Sequence, residues 1–138
     1  MNPQTKGRIL TRIAPVTSEA RVEFLARLIS ASAALHIHHL KTPSFSRHDA
    51  LNGLYSELPG LVDTLAEECI GEYGPIVDYP AVTVAVAPES DPLGFVTELF
   101  DYVKANRYQV SDESYIQNSI DAICSLLSRN KYKIRDLK

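Results

Sequence analysis

The stretch that decides the fold is His36-Ile37-His38-His39-Leu40-Lys41-Thr42-Pro43-Ser44-Phe45-Ser46-Arg47-His48. Upstream of it Val22, Leu25, Leu28, Ile29, Leu35, His36 and His39 recur at threes and fours, the spacing of one helical face. Thr17 or Ser18 can cap that helix, and Glu19 stands near the positive end of its dipole. The helix should run to about Leu40. Thr42-Pro43-Ser44 stops it, because proline disfavours helical geometry in the residue before it. Ser46 and Asp49 then resemble a capping box, and a second stripe follows in Leu51, Leu54, Tyr55, Leu58, Leu61, Val62, Leu65 and Ala66. Helix, short break and helix read as an antiparallel helical hairpin.

The second helix should end near Gly71 or Gly74, with Pro59-Gly60 in its middle. An interior proline costs about 3 kcal/mol, so this segment is either one helix held straight by packing or two shorter ones. Residues 75–91 hold Pro75, Pro80 and Pro88 around Ala81-Val82-Thr83-Val84-Ala85-Val86-Ala87, a long connection with room for a single strand. Asp91-Pro92 opens a third helix, cap first and proline at the first helical position. Its stripe is Leu93, Val96, Leu99, Phe100 and Val103, ending near Asn106. Ser111 or Asp112 opens a fourth helix with Tyr115, Ile116, Ile120, Ile123, Leu126 and Leu127, and Asn130 is its expected stop. The organisation expected is an N-terminal arm (1–16), a helical bundle (17–130) and a basic tail (131–138). The fold class expected is all-α: a four-helix bundle of two antiparallel hairpins joined by a crossover at 75–91, the ferritin-like topology.

Composition narrows the functional classes. The chain has 138 residues, 45% of them apolar, which suits one domain with one core. A net charge of -3 gives no bulk attraction to DNA or anionic membranes. Lys6, Arg8 and Arg12 at one end and Lys131, Lys133, Arg135 and Lys138 at the other leave only weak, non-specific DNA association open. Cys69 and Cys124 have no CxxC spacing and are expected as free thiols in a reducing compartment. With no signal-type apolar core and no apolar run long enough to span a bilayer, a soluble, cytoplasmic protein without membrane contact is expected. There is no glycine-rich phosphate loop and no nucleophile with a neighbouring histidine.

The residues that carry chemistry are His36, His48, Asp63 and Glu67, spaced by twelve, fifteen and four. Imidazole and carboxylate suit iron and also zinc. Asp63 and Glu67 are one helical turn apart and can grip one ion together. His39 shares a face with His36 and is a further candidate, whereas His38 points elsewhere and reads as a packing residue. Glu98, Asp101 and Asp121 lack a Glu-x-x-His partner motif, which disfavours a di-iron site built from both hairpins. Tyr55, Tyr73, Tyr102 and Tyr115 read as core and interface aromatics.

The spacing of these four residues resembles that of the Dps-type miniferritins, and the run His39 to His48 with Leu54-Tyr55 and Leu61-Val62-Asp63 is similar to small ferritin-like proteins of bacteriophages. The fourth-helix run Tyr115 to Asp121 shares that likeness weakly. The resemblance implies that His36 and His48 of one subunit and Asp63 and Glu67 of a two-fold partner hold iron. It also implies Fe(II) oxidation, assembly into a symmetric homo-oligomer (a dodecameric shell in that family) and, for a phage-encoded chain, the host cytoplasm. The chain departs from the family at Asn52, where an acid is usual, at Ile37 and Leu40, one of which stands where tryptophan is usual, and at Pro59. These departures motivate an alternative: a non-enzymatic phage protein on the same scaffold. Such a protein would bind a host factor, sit in the virion, or sequester a small ligand such as a defence nucleotide between subunits.

Overall fold

Four helices carry the chain: α1 (Ser18–Lys41), α2 (Phe45–Tyr73), α3 (Pro92–Val110) and α4 (Ser114–Asp136). The computed structural model describes residues 17–83 and 91–138, and among these there is no strand. The expected arm at 1–16 lies outside the described residues. So does most of the strand candidate, while Ala81, Val82 and Thr83 form no regular structure.

The helix ends follow local chemistry, with several shifts from expectation. Thr17 caps α1, its hydroxyl accepting from the Ala20 amide at 3.1 Å. The cap of α2 is Ser44, which accepts from the Arg47 amide at 3.3 Å, rather than Ser46. Ser46 instead reaches across the bundle and donates to the Leu137 carbonyl at 3.2 Å. Asp91 caps α3 through the Gly94 amide at 2.9 Å, with Pro92 in the first turn as expected. That helix continues past Asn106 to Val110, because Arg107 and Val110 both have partners there: Arg107 bonds to Gln117 of α4, and Val110 is buried. The start of α4 is Ser114, capped at Glu113; Ser111 lies in the turn, accepting from the Glu113 amide at 3.0 Å.

Neither Asn130 nor the expected tail ends the bundle. Asn130 is buried and donates to the Leu126 carbonyl at 3.0 Å, one turn back. Ile134 continues the stripe and is 2% exposed, so α4 extends through the basic residues to Asp136. Lys131 and Lys133 occupy positions around a helix whose inner face is still apolar.

Contacts at the two ends fix the topology. Tyr73, the last residue of α2, lies 2.5 Å from Ser111 just beyond α3, and Arg21 near the start of α1 donates to the Val110 carbonyl at 2.9 Å. At the opposite end His38 packs on Phe95, ring centroids 5.1 Å apart. α1 and α2 are therefore antiparallel, α3 and α4 are antiparallel, and α2 runs parallel to α3. α2 packs against α1 and α4, and α3 against α4 and α1, which leaves α2 and α3 on opposite corners. The end of α2 and the start of α3 therefore lie at opposite ends of the bundle. The described part of the connection between them, residues 74–83, lies along α1, where Ser30 Oγ donates to the Val82 carbonyl at 3.4 Å.

Leu25, Leu28, Leu35, Leu51, Leu54, Leu58, Leu65, Ile116, Ile120 and Ile123 are fully buried in one cluster. Burial of each such side chain is worth about 1.5–3 kcal/mol, and this is what holds the four stripes together. That packing also answers the question raised by Pro59: α2 runs through it without a break.

His38 is 1% exposed, and its Nε2 has no hydrogen-bond partner. Burial is the main cause that pushes its pKa below 6.5; Lys41 pushes the same way, and Asp91 opposes them. The folded chain thus holds His38 neutral, while the unfolded chain takes up a proton as the pH falls through 6.5. More protons bound in the unfolded state means stability that declines toward acid. The urea midpoint is expected to fall between about pH 7 and about pH 5.5, and His38→Gln should flatten this part of the profile.

Candidate functional site

The Thr42-Pro43-Ser44 corner is held by two imidazoles. His39 Nδ1 lies 2.9 Å from the His48 carbonyl, and His48 Nδ1 lies 3.0 Å from the His39 carbonyl. A carbonyl only accepts, so both Nδ1 atoms carry a proton, and the tautomer this selects for a neutral ring has its lone pair on Nε2. The His39 carbonyl belongs to the last turn of α1, where intrahelical partners run out, so His48 acts as a side-chain cap on the preceding helix. The rings stack with centroids 3.7 Å apart and planes 30° apart.

His36 sits on the same side of the hairpin but engages a different neighbour. Its ring stacks on Tyr55, centroids 4.2 Å apart and planes 9° apart, and it remains exposed. Tyr55 also lies 5.0 Å from His39, so His36, His39, His48 and Tyr55 form one aromatic cluster in the α1–α2 groove. Tyr55 completes the cluster from a position that reads from sequence only as an apolar-face aromatic.

Asp63 and Glu67 are both exposed on α2. Fifteen residues separate His48 from Asp63 on one continuous helix, which is about 22 Å along its axis. The two residues lie within about 60° of each other around that axis, so they share a side of α2. Within a single chain the structure therefore brings the histidines together and keeps Asp63 about four turns and Glu67 about five turns of α2 from His48. Among the described residues no group of three or more His, Cys, Asp or Glu side chains could hold a metal ion. The stacked pair itself is poorly arranged for chelation, because imidazole lone pairs lie in the ring planes and two nearly parallel planes do not converge on one ion.

Asp121 is paired with Arg107 at 2.5 Å. Both cysteines are free, and burial pushes Cys69 up to about 11. Tyr102 stacks on Phe24, and Tyr73 lies beneath the Arg21 guanidinium. Arg21 itself went unnoticed in the sequence; its signal is a charge in the buried register three and four residues before Phe24 and Leu25. No helix of the described residues is long and apolar enough to cross a membrane.

The side of the hairpin that carries these residues is also apolar and open. Ile29, Ile37 and Leu40 of α1 are exposed, as are Phe45 and Ile70 of α2. Phe45 is the most exposed of these, at 83%.

The chain is similar to an uncharacterized 14.6 kDa protein of the mobD-ri intergenic region of Enterobacteria phage T4, 30% identical over 110 residues that cover 80% of this chain and 84% of the relative. No solved structure matches it. Residues 39–134, from the histidine clasp to the last core isoleucine, match the family of unknown function DUF5856, and the chain belongs to that family.

Proposed function

We propose that this protein is a symmetric self-assembling bundle that binds a divalent transition metal, iron or zinc, between copies. His36 and His48 of one copy would act with Asp63 and Glu67 of another. The single observation that carries this reading is that His48, Asp63 and Glu67 are all exposed on α2, with His36 exposed on the neighbouring α1, and the carboxylates lie too far along α2 to meet the histidines within one chain. The midpoint between His48 and Asp63 falls beside Tyr55. Two α2 helices paired antiparallel about a two-fold axis there bring His48 of each copy level with Asp63 of the other. Such an isologous contact uses one patch twice. Exposed Ile29, Leu40 and Phe45 supply the apolar surface it would bury. Two parallel corner helices joined by one long crossover is also the connectivity of ferritin-like bundles, which supports that finer description of the fold.

Two imidazoles and two carboxylates are a suitable donor set for iron or zinc, and the free Nε2 of His48 is the atom that would bind. With iron, the site would supply oxidation of Fe(II) as its chemistry. Anaerobic addition of Fe(II) to the purified oligomer, then air, is expected to raise a ferric absorbance. His48→Ala and Glu67→Ala should abolish it, each leaving the oligomer intact by light scattering. A flat response from the unaltered protein sinks ferroxidase activity.

One observation favours a second reading, the non-enzymatic scaffold. His39 and His48 already have a structural task in clasping the corner, and the stacked rings do not converge on an ion. Metal analysis separates the two: stoichiometric iron or zinc supports the first, and a metal-free oligomer with unaltered stability in Zn(II) supports the second.

A further inference from the structure

The first half of α1 and residues 74–83 enclose a cleft of about 800 Å3, at the opposite end of the bundle from the histidine clasp. Arg21 forms part of its wall and is 7% exposed. Its Nε donates to the Val110 carbonyl at 2.9 Å, and its guanidinium lies 3.5 Å over the Tyr73 ring. Its terminal nitrogens have no hydrogen bond or ion pair with any described residue, yet they are not among the polar atoms sealed from solvent. This is a permanently charged group, nine-tenths buried, with its anion-binding fork unused. Leaving a buried cation without a counter-charge is costly, and an oxyanion entering the cleft would relieve that cost.

The other charges define which anion fits. Arg27 is already paired with Glu23 at 3.3 Å. Glu19 and Asp78 are exposed and put negative charge on the solvent side. Cys69, its thiol pushed up to about 11 by burial, stays protonated and adds none. The cleft is thus positive where it is buried and negative where it is open, which turns polyanions away. Ile76, Tyr79 and Pro80 give the facing segment an apolar and aromatic character. The volume falls in the range of small-molecule sites.

We propose that this cleft binds a small organic monoanion, one carboxylate or sulfonate on an aromatic body. The oxyanion pairs with the terminal nitrogens of Arg21, and the body lies against Ile76, Tyr79 and Pro80. This site is separate from the metal reading and does not depend on it.

The full chain should be titrated with benzoate, 4-hydroxyphenylacetate and naphthalene-2-sulfonate, read by ligand-observed NMR and thermal unfolding. Inorganic phosphate and a DNA oligonucleotide serve as polyanion comparisons. Saturable binding of at least one aromatic monoanion is expected, with a matching rise in unfolding temperature. Arg21→Gln should weaken it by at least about tenfold, as loss of a buried charge-assisted contact does. Arg27→Gln should leave it within about threefold, because its partner is Glu23. Arg21 also joins α1 to the end of α3, so a misfolded Arg21→Gln would be uninformative alone. Tyr79→Ala, on the exposed segment, is expected to weaken aromatic ligands several-fold with the helical circular dichroism unchanged. The proposal is overturned by absence of saturable binding of all three monoanions at about 10 mM. It is also overturned by unchanged affinity in Tyr79→Ala or in folded Arg21→Gln, or by tighter binding of phosphate or DNA.

Discussion

Leu54→Ala is expected to cost about 2–5 kcal/mol of folding stability, read as a lower urea midpoint at unchanged slope. Leu54 is completely buried in the middle of α2, the helix that packs on both α1 and α4. Truncation removes apolar contacts and leaves a cavity that rigid helices on two sides cannot close. Single domains hold only about 5–15 kcal/mol in reserve, so the variant should be largely unfolded at temperatures the parent tolerates. A loss below about 1 kcal/mol would mean that the bundle relaxes around this position and that the α1–α2–α4 seam is not the stability centre.

Pro59→Ala should act in the opposite direction, with a gain of about 2 kcal/mol. A proline inside a helix costs about 3 kcal/mol relative to alanine, and part of that is offset because proline also restricts the unfolded chain. Pro59 is exposed, so replacing it removes no core contact. It restores an amide that can donate to the carbonyl of Tyr55, one turn back. Tyr55 is the residue on which His36 stacks, so the same substitution should stiffen the backbone under the aromatic cluster. A lower urea midpoint for Pro59→Ala would show instead that α2 needs a local bend there for the hairpin to pack.

Much of the architecture was legible in the linear pattern. Four apolar stripes at helical spacing, the Thr42-Pro43-Ser44 break and the Asp91-Pro92 start all occur where expected. These are local effects: a cap, a missing amide and a face repeat every three to four residues whatever surrounds them. The shifted boundaries share one cause. Ser46 yielded the cap to Ser44, α3 passed Asn106 and α4 passed Asn130, each time because a neighbouring helix offered a partner or buried an apolar side chain. Propensity could not signal those partners.

The candidate site divides in the same way. The twelve, fifteen and four spacing of His36, His48, Asp63 and Glu67 is a property of the sequence, and it alone places the carboxylates on one side of a helix. That His39 rather than His36 pairs with His48, that Tyr55 shares their groove and that Arg21 is buried at the far end were decided by the tertiary structure. Sequence fixes which atoms a residue can offer and on which side of its own helix they emerge. Which of them meet depends on the rotation and level at which helices distant in sequence pack, and the summed burial of their stripes sets both.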